Sequence, residues 1–321
     1  MTPLRQATAI LAAACCLLAG CAARTPLLAP DARGVELVDT PFYPQEKYQC
    51  GPAALATVLA VAGVQVTPEE LVPQVYLPSR KGSLTIEMQA APRRHGVLSY
   101  PLAPTLDAIV AELEAGRPVL VLHNYGLPFW PRWHYAVVIG YDASRQRMLL
   151  RSGTTERQSL SAANFMRAWD NADRWAMVIL RPGELPAQPE LPRYLEAATA
   201  FERAAAPTDA ERAFGAAAHL WPDDPVGWVG RGTARYRAGD WRAAADDYAH
   251  ALSLAPELPA PRNNLAMALL KLGCPAAARR HLDQIDSSAL DAPMRAAVAD
   301  TSNQVRAQAA ITDNGACSAL Y

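Results

Sequence analysis

The sequence predicts two folded parts in series: an α+β domain over residues 39–182 and an all-α repeat domain over residues 191–303. Three observations carry this. The middle segment passes from Ala- and Leu-rich runs to Val-, Ile- and Tyr-rich runs bounded by turn residues. Residues 183–190 hold Pro186 and Pro189, which cannot sustain a helix or an inner strand and so mark a linker. From Leu191 onward the chain is Ala-rich and repeats itself every 34 residues.

Within the first part, Cys50-Gly51-Pro52 opens an apolar run to Ala62 that reads as a buried helix with Cys50 at its N-terminus, Pro52 being tolerated in a first turn. Thr67-Pro68-Glu69-Glu70 caps a second helix, and Thr105 to Ala115 reads as a third, ended by Gly116. The texture then changes. Pro118 to Leu122 and Tyr135 to Ile139 read as strands, Arg147 to Leu150 pairs back across the Asp142–Gln146 turn, and Trp175 to Leu180 is a further strand. Helices first and an antiparallel sheet second make an α+β domain.

In the second part Gly239 and Gly273 are 34 residues apart, as are Ala244 and Ala278, Ala217 and Ala251, Phe214 and Tyr248, and Pro222 and Pro256. This period and residue pattern resembles tetratricopeptide repeats. The best copy runs from Trp228 to Pro256. Ala244 and Ala251 allow close helix approach within a unit, and Tyr248 fills the gap between units. Residues 289–303 supply a capping helix, and 304–321 form a tail.

The composition, 51 % hydrophobic and 19 % charged, is that of a globular chain, and a net charge of −1 points away from nucleic acid. Met1 to Gln6 carries one positive charge, and Ala7 to Leu18 is an apolar run of signal-peptide length, too short to span a bilayer as a helix. It ends in Leu18-Ala19-Gly20-Cys21, which resembles the lipobox of bacterial lipoproteins. That resemblance implies cleavage of residues 1–20, lipid on Cys21, and a tether over 21–38. With Ala22 next, it also implies an outer-membrane anchor facing the periplasm. Of the six cysteines, Cys15 and Cys16 leave with the signal peptide and Cys21 takes the lipid. In an oxidising compartment Cys274 and Cys317 could pair, leaving Cys50 as the odd thiol.

Two segments carry the chemistry. One runs from Tyr43 through Gln45 and Gln49 to Cys50-Gly51-Pro52-Ala53; the other is Trp133-His134-Tyr135-Ala136-Val137-Val138-Ile139-Gly140-Tyr141-Asp142. In that order they resemble the peptidase C39 and C39-like families. This implies a papain-like fold over about residues 40–182 and a Cys50–His134 pair that cleaves peptide bonds. Residue chemistry points the same way. A thiol at a helix N-terminus is expected to have its pKa lowered by the helix dipole. An imidazole at a strand mouth can act as base and then acid, and a Gln amide can help the Cys50 N–H hold an oxyanion. Gln45 is the assigned donor and Gln49 the second candidate.

The third position departs from the family pattern. Where the resemblance calls for an Asp, the chain reads Leu150-Arg151-Ser152-Gly153, so Ser152 stands in its place. Asp142 reads as a turn residue. His95, His219, His250 and His281 show no metal-ligand spacing, while His123, with Asn124 beside it, could approach the cleft. Tyr125, Phe129, Trp130 and Trp133 form either a substrate wall or loop packing. The expected function is a lipid-anchored cysteine peptidase needing no cofactor or metal, acting on a peptide or protein substrate, with the repeats recruiting a protein partner and no nucleic acid involved. The alternatives are a C39-like peptide-binding scaffold that does not cut, and acyl transfer or amide hydrolysis on cell-wall peptides.

Overall fold

The computed structural model describes residues 26–29, 33–45, 49–127, 129–308 and 317. The expected signal segment, Cys21 and most of the tail lie outside these. No helix among the described residues is long and apolar enough to cross a membrane.

In chain order the first part contains β1 (Val35–Glu36), α1 (Cys50–Val61), α2 (Pro68–Val75), β2 (Tyr76–Leu77), β3 (Gly82–Ser83), α3 (Thr85–Arg94), β4 (Leu98–Pro101) and α4 (Leu106–Glu114). There follow β5 (Val119–Asn124), β6 (Trp133–Asp142), β7 (Arg147–Ser152), β8 (Thr155–Ser161), α5 (Ala162–Asp170) and β9 (Ala176–Leu180). The main sheet is antiparallel with strand order β4-β9-β5-β6-β7-β8, and β1 joins β6 at Gly140 and Tyr141, beyond the point where β5 begins opposite Val138. Gly140 is needed there: a Cβ on it would run into the Val35 carbonyl.

The helix ends follow their sequence signals. Thr67 and Glu70 form a reciprocal capping box on α2. Thr105 caps α4 by accepting from Ala108 N at 3.2 Å. Seven of the described elements were not expected: β1, β2, β3, α3, β4, β8 and α5. Pro92 lies in the last turn of α3 and blurs its helical pattern. β4 is defined by pairing with β9, Leu98 opposite Leu180, a contact across some eighty residues that no local pattern announces. The order is therefore not helices first and sheet second, since β4 precedes α4 and α5 separates β8 from β9.

The sheet has two buried faces. Leu55, Leu59, Leu71 and Met88 of α1–α3 pack on Leu120, Tyr135, Val137, Ile139 and Met177. Ile109, Phe165 and Trp169 pack on the opposite face against Val121, Ala136, Val138, Leu150 and Val178. Each such leucine or phenylalanine contributes roughly 2 kcal/mol through burial. The two faces alternate along each strand, as a pleated sheet requires.

The second part is a series of helix pairs: α6 (Leu191–Glu202) with α7 (Pro207–Leu220), α8 (Pro225–Ala238) with α9 (Trp241–Leu254), and α10 (Pro259–Lys271) with α11 (Pro275–Leu282). First helices start at 191, 225 and 259 and second helices at 207, 241 and 275, a constant step of 34. A final helix, α12 (Ala292–Ala307), covers the end. Gly232 lets Tyr248 approach α8, where a Cβ would stand 2.9 Å from the ring. A disulfide joins Cys274 to Cys317.

The expected linker is not loose. The buried Glu112 carboxylate accepts from Ala187 N at 2.7 Å and from Arg117 Nε at 2.6 Å. Tyr194 of α6 donates to the Glu184 and Ala213 carbonyls at 3.1 Å and packs against Tyr100 of β4. The first helix pair thereby continues the core of the sheet domain.

Candidate active site

Cys50 is the first residue of α1, preceded by Gln49 as N-cap, and it is the free cysteine among the described residues. Gly51 is required by crowding, since a Cβ would collide with Ser83 of β3. His134 is the second residue of β6 and lies directly opposite His123 of β5. Ser152 ends β7, just after a register shift between Leu150 and Ser152. The shift delivers its hydroxyl to the imidazole: His134 Nε2 and Ser152 Oγ are 2.9 Å apart.

Gln45 is tied to the same turn, its N–H donating to the Gly153 carbonyl at 3.1 Å. The incoming chain is held by Arg151, a buried side chain that no local pattern singled out. Its guanidinium donates to the carbonyls of Val38 (2.9 Å), Thr40 (2.8 Å) and Glu156 (2.8 Å). Arg151 therefore anchors the strand leading to Gln45, and its neighbour Ser152 holds His134.

Gln45, Cys50 and His134 line one cleft of about 780 Å³, closed by residues 80–85, Leu122 and residues 131–135. Gln49 is not among the lining residues, and Ser152 lies behind His134 rather than in the opening. The wall formed by β2, the Pro78–Arg80 turn and β3 was missed in the sequence, although its Pro-Ser-Arg-Lys-Gly stretch is turn chemistry. It is locked to the far wall by Tyr135, whose hydroxyl donates to the Ser83 carbonyl at 3.3 Å. Asp142 is the last residue of β6, at the start of the β6–β7 turn, accepting from Ser144 Oγ at 2.7 Å and Arg145 N at 3.0 Å.

The electrostatics correct one expectation. Burial pushes the Cys50 thiol above its usual range, although the backbone N–H groups of Tyr135, Gly51 and Cys50 pull the other way. Desolvation is the largest influence on the thiol and outweighs the helix terminus and these donors. Burial also lowers the His134 pKa. Both shifts run toward the neutral forms, thiol and imidazole.

His123 does not enter the cleft lining. It is fully buried, with Nδ1 2.8 Å from the Tyr125 hydroxyl and its ring edge-on to Phe165. Burial first, and the His134 charge second, depress its pKa to about 3. Tyr125 tilts against the His134 ring at 6.0 Å. Trp133 lines the cleft, whereas Phe129 and Trp130 stand exposed at the tip of the β5–β6 loop. No group of three His, Cys, Asp or Glu among the described residues is arranged to hold a metal ion.

Residues 37–177 match the family model described as "Peptidase_C39 like family". None of the curated proteins matches the chain. Similar solved structures include a chain described as a C39-like peptidase from Bacillus anthracis, 16 % identical over 47 % of this chain and 98 % of that one, with a TM-score of 0.40. Another is a double glycine motif protease from an AMS/PCAT transporter in complex with the leader peptide, 19 % identical over 47 % and 96 %, TM-score 0.35. A third is the type III secretion translocator chaperone SycD of Yersinia enterocolitica, 20 % identical over 37 % and 83 %, TM-score 0.34. Residues 37–177 form a domain of the peptidase C39-like family.

Proposed function

We propose that this protein is a cysteine peptidase, anchored to the outer membrane by lipid on Cys21 and facing the periplasm. The observation that carries the activity is the meeting of Cys50 and His134 in one cleft, with His134 Nε2 held by Ser152. That bond leaves Nδ1 as the ring nitrogen free to serve the thiol.

Because burial favours the neutral thiol and the neutral imidazole, proton transfer accompanies attack. The Cys50 sulfur bonds to the carbonyl carbon as its proton passes to His134. The oxyanion is held by the Cys50 backbone N–H and the Gln45 side-chain amide. The C–N bond then breaks and His134 returns the proton to the leaving amine. Water, deprotonated by His134, hydrolyses the thioester and releases the acid with the thiol restored. The 34-residue helix pairs are read as tetratricopeptide-like repeats whose surface recruits a protein partner or the substrate.

The test is turnover of a mixed peptide pool by purified full-length protein. Cys50→Ala and His134→Ala each abolish new N-termini, and Gln45→Ala lowers kcat by roughly 10²-fold. Equal turnover by Cys50→Ala protein rules the reading out. A mass of the membrane-extracted chain that begins at Cys21 with acyl groups tests the anchor.

Ser152 favours a second reading, a peptide-binding scaffold that does not cut, because a neutral hydroxyl cannot stabilise an imidazolium by charge. It is distinguished by a Cys50→Ser strain: full complementation of a deletion phenotype supports the scaffold.

A further inference from the structure

The cleft has a charge bias that the attack chemistry does not require. Its ionisable lining, apart from Cys50, His134 and Tyr135, consists of Arg80 and Lys81 on one wall and Arg132 on the other; no Asp or Glu lines it among the described residues. All three basic side chains are exposed. Neither Arg80 nor Arg132 is ion-paired to a described residue. Elsewhere the chain pairs arginines freely, as in Arg157–Glu36 and Arg231–Asp247. Cations gathered on two facing walls repel one another, and a concave site of one sign attracts the opposite charge.

These cations are carried on held backbone. Arg80 ends the Pro78–Arg80 turn, which closes through Lys81 N donating to the Pro78 carbonyl at 3.2 Å. On the far wall, Arg132 N donates to Asn124 Oδ1 at 2.8 Å, and its carbonyl accepts from Tyr125 N at 3.1 Å. The same cleft is lined by Leu84, 43 % exposed, and Trp133, 53 % exposed. Apolar surface flanked by cations on two walls suits an extended chain that alternates bulky apolar with acidic side chains.

We propose that the cleft selects acidic peptide segments, with carboxylate side chains against Arg80 and Arg132 and a bulky apolar side chain against Trp133 and Leu84. This rests on the reading of the cleft as a peptide-cleaving site and names its substrate class. Arg80 and Arg132 are then specificity-determining residues.

The probes are end-blocked peptides sharing one Leu-Ala centre, flanked on both sides by paired Glu, paired Gln or paired Lys. With the full chain, kcat/KM for the Glu peptide exceeds that for the Gln peptide by about tenfold or more, and the Lys peptide is slowest. The advantage shrinks as ionic strength rises from about 0.01 to 1 M, where the screening length falls from about 30 to 3 Å. In R80E/R132E protein the order inverts to favour Lys, a gain that misfolding cannot produce. Equal rates for Glu and Gln peptides, or an order unchanged in R80E/R132E, overturn the proposal. If no peptide is cut, calorimetric binding to Cys50→Ala protein decides: about tenfold tighter binding of the Glu peptide keeps the substrate class while the peptidase reading falls, and equal binding overturns it.

Discussion

His134 Nε2 and Ser152 Oγ lie 2.9 Å apart, so the imidazole is oriented by a neutral hydroxyl at the place where a carboxylate would add charge. A register shift in β7 aims the hydroxyl, and Arg151 beside it clamps the chain that carries Gln45. Orientation is retained and electrostatic help is not.

Ser152→Asp is expected to raise kcat/KM by about tenfold, because a carboxylate partner stabilises the imidazolium formed during attack. Ser152→Ala removes one hydrogen bond of about 1 kcal/mol and lowers kcat about fivefold. Steady-state kinetics of both variants decide. A Ser152→Asp protein no faster than the parent means the hydroxyl is not in the orienting position.

The thiol should show no ion-pair plateau at acid pH. Burial raises the Cys50 pKa above that of an ordinary thiol, so thiolate appears only as pH climbs past the ordinary thiol range. The iodoacetamide reaction rate is expected to keep rising above pH 8.5, about where a free thiol is half ionised. The acid limb of kcat/KM lies below 6.5, since the lowered imidazole stays neutral, and able to accept a proton, down past that value. A flat alkylation rate between pH 5 and 7 contradicts the neutral pair.

His123 makes the fold acid-sensitive. Its pKa is about 3 in the fold against 6.5 for an ordinary imidazole, so between these the unfolded chain binds the extra proton and stability falls as pH falls. The full effect is on the order of 5 kcal/mol, most of it lost between pH 6.5 and 4. Urea titrations at pH 7 and pH 4 test this. His123→Phe removes the group, and its stability should change less over that interval than the parent's; an identical loss refutes the assignment.

The Cys274–Cys317 bond closes a loop of 43 residues, which in the chain-entropy account is worth about 4 kcal/mol. Cys274→Ala/Cys317→Ala protein is expected to melt earlier in the repeat region, measured by hydrogen exchange in α11 and α12, while the cleft keeps its activity. Unchanged protection in those helices argues against a stapling role.

Local signals in the sequence determined a good deal. Cys50-Gly51-Pro52 places a thiol at a helix start, Thr67 and Glu70 state a cap, and the step of 34 residues declares paired helices, since each depends on neighbours within a turn or one repeat unit. The lipobox reading of Cys21 remains a proposal from sequence, as that residue lies outside the described structure. Tertiary structure decided the rest. β4 exists only through β9, and the wall carrying Arg80 closes the cleft only by meeting Tyr135. Arg151 finds the Val38 and Thr40 carbonyls more than a hundred residues away. The thiol's pKa was read with the wrong sign from its helix terminus, because desolvation depends on everything packed around the sulfur and is not written in the residues beside it.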